Sequence, residues 1–250
     1  MARRIRTGND TDEAPTKTVR KPRKTETYTP PFVAKPLLPK TQRQDDLLKA
    51  LRTSAQVITI GPPGTGKTFL PVGWAADSLL RGDIKQIVLA RPVIPVSTGQ
   101  KLGFRPGDVG EKMAEWMAEL FKDLRDRMGV GAFDTALKNE HIIVVPFETM
   151  RGRTFNNAFV LLDEAQNCSY HELKMFLTRI GEGSQVCING DLNQSDLKEE
   201  SGLNVILRIA RDAGLNVPLI EFGLDDIVRG DICAMWIRAC YAYENARGDA

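Results

Sequence analysis

The chain has few cysteines, almost no histidine and no long apolar run, and each shortage excludes a class of protein. Its four cysteines form no Cys-x-x-Cys pair and have no histidine at zinc-ligand spacing, which excludes a zinc module and a disulfide scaffold. Two of them, Cys233 and Cys240, are expected on one buried helix face. No apolar stretch approaches the roughly 20 residues of a membrane span, and the charged N-terminus lacks a signal-peptide core. We therefore predict a cytoplasmic protein with no membrane partner.

The charges are distributed unevenly along the chain. Residues 1–40 hold ten Lys or Arg, four Asp or Glu and six of the 14 prolines, whereas residues 41–250 carry a net charge of −4. This composition predicts a basic disordered or extended arm over residues 1–40 and a single folded domain over residues 41–250. The arm has two interpretations, a tether for nucleic-acid phosphates or a solubilising leader.

Short runs of β-branched and apolar residues alternate with segments of helical periodicity. Continuous rather than alternating apolar runs are typical of strands buried on both faces of a parallel sheet. The predicted strands are residues 56–60, 86–90, 141–145, 158–162, 185–189 and 217–222. The predicted helices are residues 42–52, 67–81, 108–128, 169–180, 201–213 and 231–245. This order predicts an α/β fold whose mostly parallel sheet has helices on both faces.

The most informative motif is the sequence GPPGTGKT, which lies between the first predicted strand and the helix after it. A glycine-rich turn at a helix N-terminus presents a nest of backbone N–H groups to nucleotide phosphates. Lys67 is expected to reach the β- and γ-phosphates, and Thr68 to offer its hydroxyl to Mg²⁺. The predicted phosphate-binding residues are Gly61, Pro62, Pro63, Gly64, Thr65, Gly66, Lys67 and Thr68.

Polar residues follow two later strands at the end where a parallel sheet binds its ligands. Asp163 and Glu164 come directly after strand 158–162, and we expect Asp163 to hold Mg²⁺ and Glu164 to deprotonate the attacking water. The sequence Gly190-Asp191-Leu192-Asn193-Gln194 follows strand 185–189. Gln194 is expected to contact the γ-phosphate or the attacking water. These residues predict hydrolysis of a nucleoside triphosphate.

The base of the nucleotide is predicted from Gln44, which precedes the phosphate loop by 17 residues. A glutamine amide carries both a donor and an acceptor, which match the N6 and N7 edge of adenine. The chain also has no Asn-Lys-x-Asp guanine signature. We therefore predict ATP as the nucleotide.

Taken in order, these motifs resemble the PhoH family of P-loop ATPases, which shares its RecA-like core with the superfamily one helicases. The matching blocks are GPPGTGKT, RPV at 91–93, KLGFRPGD at 101–108, MRGRTF at 150–155, LLDEAQN at 161–167, KMFLTR at 174–179, GDLNQSDL at 190–197 and DIVR at 226–229. The chain departs from the family pattern at Gln100, where a glutamate is usual, and at Gly230-Asp231, where His-Pro is usual.

The resemblance and the size of the chain together predict an oligomer. Phosphoryl transfer is accelerated by an arginine finger, which a two-domain helicase supplies from its second core domain. This chain has room for one core domain, so we expect at least one arginine to reach the nucleotide of a neighbouring subunit. The resemblance implies hexamers. The candidate fingers are Arg179, Arg229, Arg151 and Arg153.

The long loop 92–107 is rich in proline and glycine and also contains Lys101, Phe104 and Arg105. Positive charge beside an aromatic ring is typical of a surface that binds single-stranded RNA or DNA, although the loop could instead pack against the next subunit. Three functions are compatible with the motifs. They are an oligomeric nucleic-acid translocase or helicase, an ATPase switch that regulates an RNA-processing or nuclease partner, and a nucleotide-gated scaffold. The scaffold is the weakest because it has no need of Glu164.

Overall fold

A computed structural model describes residues 35–92, 117–197 and 199–248 of the chain. Six strands form one sheet in the order β3-β2-β4-β5-β1-β6, and every neighbouring pair is parallel. The strands are β1 (Gln56–Ile60), β2 (Gln86–Ala90), β3 (Ile142–Val144), β4 (Ala158–Leu162), β5 (Gln185–Gly190) and β6 (Leu219–Glu221). The α/β fold of the RecA-like P-loop NTPases is confirmed.

Within the described residues, seven α-helices connect or flank these strands, and an α-helical segment absent from the sequence prediction follows Gly129. The helices are α1 (Gln42–Thr53), α2 (Phe69–Arg81), α3 (Ala118–Met128), α4 (Val130–Lys138), α5 (Tyr170–Leu177), α6 (Gly202–Asp212) and α7 (Asp231–Gly248). Helix α5 begins with a capping box in which the Ser169 hydroxyl accepts from the backbone N–H of Glu172, whose carboxylate accepts from the N–H of Ser169.

The sheet has a separate hydrophobic core on each face, because successive side chains of a strand point to opposite sides. Val57 of β1 and Cys187 of β5 belong to the core that also contains apolar residues of α1 to α4. Ile58 and Ile188, one position further along the same strands, belong to the core that α5 and α6 cover. The burial of both faces explains why the strands read as continuous apolar runs.

Neighbouring strands bring distant parts of the chain to the same edge of the sheet. The backbone N–H of Asp163, after β4, donates to the carbonyl of Ala90 at the end of β2, 3.0 Å away. The N–H of Gly61, after β1, donates to Gly190 at the end of β5, 3.2 Å away. The carboxyl ends of these four strands therefore meet around the glycine-rich loop.

The structure corrects the prediction for the two cysteines of α7 and leaves the predicted N-terminal arm untested. Cys233 and Cys240 are exposed on α7 rather than buried, so the prediction of a shared core face is wrong. Among the described helices, none is long and apolar enough to span a membrane. The division into an arm at 1–40 and a domain at 41–250 stays a prediction, since most of the arm lies outside the described residues.

Candidate nucleotide site

The loop between β1 and α2 has the backbone geometry of a phosphate cradle. Gly61, Gly64 and Gly66 have φ angles of 133°, 78° and 90°, a region that side-chain-bearing residues rarely adopt. The first turn of α2 closes over the loop, since Leu70 N–H donates to Gly66 O at 3.0 Å. The first N–H groups of a helix in general have no carbonyl one turn earlier to bond, which is the physical basis of anion binding at a helix start.

Lys67 lies among three carboxylates at the mouth of the loop. Its Nζ donates to the carbonyl of Pro62 at 3.0 Å, so the ammonium group folds back over its own loop. Burial lowers the pKa of Lys67, and the nearby carboxylates of Asp191, Asp163 and Glu164 partly oppose that shift. A partly desolvated cation of this kind interacts strongly with an incoming phosphate.

Asp163 and Thr68 lie together, as a magnesium site requires. The Thr68 hydroxyl donates to one carboxylate oxygen of Asp163 at 2.9 Å, and Arg91 Nη2 donates to the other at 2.6 Å. The described residues contain no group of three or more His, Cys, Asp or Glu that could cage a metal. Mg²⁺ in nucleotide sites uses one or two protein oxygens, with phosphates and water completing its octahedron. Thr68 and Asp163 therefore fit Mg²⁺ bound with a nucleotide.

Glu164 is held in a strained conformation by its neighbours. It has a φ of 57° and a ψ of 38°, the left-handed region, which in a non-glycine residue is often associated with a functional site. Gln166 Nε2 donates to the carboxylate of Glu164 at 2.7 Å. The carbonyl oxygen of the same Gln166 amide accepts from the backbone N–H of Asp191 at 3.0 Å. One buried amide thus connects the residues after β4 to the residues after β5.

The segment that contains Gln194 is anchored to the end of β4 by further hydrogen bonds. The N–H of Asp196 donates to the side chain of Asn167 at 2.8 Å, and the Ser195 hydroxyl donates to the carbonyl of Gln166 at 3.1 Å. The Gln194 side chain itself is exposed. Its predicted contact with the γ-phosphate stays a prediction.

Gln44 is buried against the phosphate loop rather than exposed on α1. Its amide nitrogen donates to the carbonyl of Thr65 at 2.8 Å, and its amide oxygen accepts from the N–H of Lys40 at 2.8 Å. An amide has two N–H donors and two acceptor lone pairs, so these bonds leave one of each, on a residue that is only 3% exposed. Adenine recognition by Gln44 stays a prediction, and the described contacts also make Gln44 a brace of the loop.

The four arginines predicted as fingers lie in different places. Arg229 packs on its own phosphate loop, because Val228 N–H donates to Gly64 O at 3.0 Å and a Cβ on Gly64 would lie 2.6 Å from Arg229 Cγ. Arg179 lies at the opposite edge of the sheet, where its carbonyl accepts from Phe155 N–H before β4 begins. Arg153 lines a cleft with Gln86 and Glu140 at the amino ends of β2 and β3. Arg151 is exposed.

The family of the chain is shown by a sequence match that includes all of these site residues. A family model described as PhoH-like protein matches residues 36–242. The chain belongs to the PhoH-like family. Among its relatives, a PhoH-like protein of Bacillus subtilis is 40% identical over 202 residues, covering 80% of this chain and 62% of the relative. Protein PhoH of Escherichia coli is 37% identical over 208 residues, covering 82% and 58%.

This PhoH-like chain therefore spans about three-fifths of the length of those relatives. The Pif1 helicase from Candida albicans superposes with a TM-score of 0.37 at 15% identity, covering 74% of this chain and 40% of the helicase. A superposition of that quality adds nothing to the fold, which rests on the strand order and the family match.

Two residues of this PhoH-like site were not singled out by sequence reasoning. Arg91 and Gln166 both touch a predicted catalytic or metal-binding carboxylate. The sequence position of each could have indicated its role, because polar residues directly after parallel strands lie where the sheet binds its ligands. Arg91 directly follows β2, and Gln166 lies two residues after Glu164. Conversely, the predicted nucleic-acid contacts Lys101, Phe104 and Arg105 lie outside the described residues.

Gln166 yields a prediction about catalysis. Gln166→Leu removes both hydrogen bonds with little change of volume, so Glu164 loses its orientation while the phosphate loop stays intact. We expect kcat for ATP hydrolysis to fall by about 10- to 100-fold and KM to change by less than about threefold. The matched control is Gln56→Leu at the amino end of β1, whose amide donates to the carbonyl of Asn216 at a long 3.4 Å. Equal losses in kcat and in ATP affinity for Gln166→Leu would contradict a positioning role.

Proposed function

We propose that the chain is a Mg²⁺-dependent ATP hydrolase that acts as a homo-oligomer on single-stranded nucleic acid. The observation that carries this proposal is the meeting of Lys67, Thr68, Asp163 and Glu164 at the carboxyl edge of one parallel sheet. The family match and the P-loop fold support the nucleotide part of the proposal. The nucleic-acid and assembly parts rest on further features of the chain.

Each side chain at this edge has a chemical role in the proposal. The N–H groups at the start of α2 and the Lys67 ammonium bind the β- and γ-phosphates. Thr68 and Asp163 hold the metal, which supplies charge neutralisation at the phosphate oxygens. Glu164 accepts a proton from the attacking water, and Gln166 fixes the direction of that carboxylate. Gln194 lies on the segment tied to Gln166 and Asn167, so a contact with the γ-phosphate would reach Glu164 through Gln166.

The positions of the arginines favour an assembly of subunits. Arg179 and Arg153 lie at the amino edge of the sheet, whereas the phosphate loop lies at the carboxyl edge. Neither can act on the nucleotide of its own subunit without crossing the sheet. A head-to-tail contact, in which the amino edge of one subunit faces the carboxyl edge of the next, would bring them to a neighbour's ATP. Such heterologous contacts close into rings, and we propose a hexamer.

Helix α7 offers a surface that fits this assembly. Ile232, Met235 and Trp236 are 76%, 57% and 62% exposed and lie on one stripe of the helix, directly after Arg229. Together with the exposed Tyr243 they form a mostly apolar patch, and contiguous apolar patches of this kind mark protein interfaces. We infer that a second copy of the chain covers α7 beside the phosphate loop.

A second candidate function is an ATPase switch that controls an RNA-processing or nuclease partner without unwinding nucleic acid. The hydrogen bonds from Ser195 and Asp196 to the residues after Glu164 favour it, because they give nucleotide state a direct route to the 191–197 segment. This route needs no movement along a strand. The two candidates differ in what nucleic acid does to turnover.

The deciding experiment measures ATP hydrolysis with and without single-stranded RNA at two protein concentrations that bracket assembly. We expect turnover per subunit to rise with concentration and with RNA, and a tailed duplex to be unwound. Turnover that is indifferent to RNA, with no strand displacement, would replace the translocase by the switch. Absence of hydrolysis at both concentrations, with ATP still bound, would reject both in favour of a scaffold.

A further inference from the structure

Asp163 has a cationic partner in addition to the Thr68 hydroxyl. Its two carboxylate oxygens are taken by different donors, Thr68 Oγ1 at 2.9 Å and Arg91 Nη2 at 2.6 Å. The ion pair is largely shielded from solvent, since the side chains of Arg91 and Asp163 are 15% and 4% exposed. A pair at this depth is screened little by salt, and its geometry is that of a charge-assisted hydrogen bond.

The strand register fixes Arg91 at this position. β2 and β4 are parallel neighbours in which Ala90 is paired with Leu162, so Arg91 and Asp163 are the next residues on each strand. The bond from Asp163 N–H to Ala90 O continues the ladder to that point. The Arg91 guanidinium and the Thr68 hydroxyl therefore bind the two oxygens of the same Asp163 carboxylate. This places the guanidinium beside the region that the phosphates and the metal would share.

The charges of the site make Arg91 distinct from the other cations. Lys67 Nζ bonds a carbonyl and not a carboxylate, and burial lowers the pKa of Lys67. Arg229 is exposed and packs against the outside of the loop at Gly64. Arg91 is the partly buried arginine that touches the predicted metal ligand, and the planar fork of a guanidinium suits bidentate bonds to phosphate oxygens.

Binding of magnesium and ATP would weaken this ion pair, because a cation held on the side of Asp163 that faces Thr68 would offset the charge of the carboxylate and repel the guanidinium on its other oxygen. We propose that Arg91 is a catalytic arginine supplied in cis, which neutralises Asp163 in the nucleotide-free protein and moves to the γ-phosphate of ATP when the metal offsets the charge of Asp163. This inference rests on the proposed ATP hydrolase function. Arg91 would stabilise charge on the γ-phosphate within one subunit, whether or not a neighbouring subunit adds an arginine finger.

The test compares the affinities of a triphosphate and a diphosphate. Arg91→Gln is titrated by calorimetry in Mg²⁺ with a non-hydrolysable ATP analogue and separately with ADP. Because one charge-assisted hydrogen bond to the γ-phosphate is lost, the dissociation constant of the ATP analogue should rise by about 10- to 100-fold, and that of ADP by less than about threefold. Arg211→Gln, an exposed arginine at the end of α6, is the matched control and should change neither.

A second measurement addresses the nucleotide-free state. Arg91→Gln leaves Asp163 without its cation and should lower the melting temperature of the free protein by several degrees, whereas Arg91→Gln combined with Asp163→Asn should recover most of that loss. If Arg91→Gln does not fold, Arg91→Lys keeps a cation beside Asp163 but loses the planar fork. It should then weaken the ATP analogue alone, by about tenfold.

The outcomes separate this inference from the function on which it rests. Equal weakening of the ATP analogue and ADP, or no weakening of either, would overturn the role of Arg91 while wild-type binding still supported an ATPase. A double variant no more stable than Arg91→Gln would overturn the resting ion pair. Wild-type protein that binds neither nucleotide would instead overturn the proposed function.

Discussion

Replacement of Glu164 by glutamine is expected to lower kcat for ATP hydrolysis by about 10²–10⁴-fold and to leave the affinity for ATP within a few-fold of wild type. Glutamine has the same size and can still bond Gln166, but it cannot accept a proton from water. The left-handed backbone at Glu164 should be kept, because the side-chain volume is unchanged. The variant should therefore bind Mg²⁺ and ATP and remain in the bound state.

The measurement is single-turnover hydrolysis together with equilibrium binding of ATP. Glu182→Gln is the control, since Glu182 is exposed before β5 and contributes only backbone bonds to Asn156 and Asn157 among those described. It should hydrolyse ATP at the wild-type rate. Turnover by Glu164→Gln above about a tenth of wild type would assign the general base to another residue.

The sheet could be predicted closely because its strands are buried on both faces. β1, β2 and β4 have the predicted bounds, and at least four of the five residues of each are buried. The short helix α4 was missed, since glycines stand before it and at its second position and its nine residues give only two buried positions, Phe133 and Ala136. Local signals fail where a helix is short and tertiary contacts hold it in place.

The candidate site could be predicted only where its residues are contiguous. The glycine-rich loop and the Asp163-Glu164 pair are local patterns, and the structure brings both to one edge. Arg91 is 72 residues from Asp163, and their contact exists because β2 lies beside β4. Gln166 meets Asp191 because β4 lies beside β5. Local periodicity does not predict the order of the strands in the sheet. The contacts of Arg91 and Gln166 therefore become visible only when the strand order is known.

The positions of the candidate arginine fingers could not be predicted from the sequence either. Sequence reasoning treated Arg179 and Arg229 as equivalent candidates, yet one lies at the amino edge of the sheet and the other on the phosphate loop. Arg229 packs on the phosphate loop of its own subunit at Gly64, whereas Arg179 would need a neighbour to meet a nucleotide. In the proposed assembly, a neighbouring subunit would supply Arg179 in trans, in addition to the charge that Arg91 is proposed to supply in cis.

Gly61→Ala is expected to destabilise the protein far more than an alanine at another glycine of positive φ. A Cβ at Gly61 would lie 2.3 Å from the carbonyl oxygen of Phe222, a backbone atom that cannot rotate away, and the φ of 133° is strained for alanine. Strain and overpacking together should cost about 4 kcal/mol in the free energy of unfolding.

The matched control is Gly82→Ala at the end of α2, where φ is 79° and nothing lies within 4 Å of the added Cβ. That variant meets the conformational cost alone, about 1–2 kcal/mol. Urea unfolding of both variants separates the cost of positive φ from the cost of the clash with Phe222. The difference between their free energies of unfolding measures the effect of the close approach between the residue after β6 and the phosphate loop. Equal losses would show that the loop moves away from Phe222 at little cost. The cradle would then be flexible before nucleotide binds, and Gly61→Ala would weaken ATP binding no more than Gly82→Ala does.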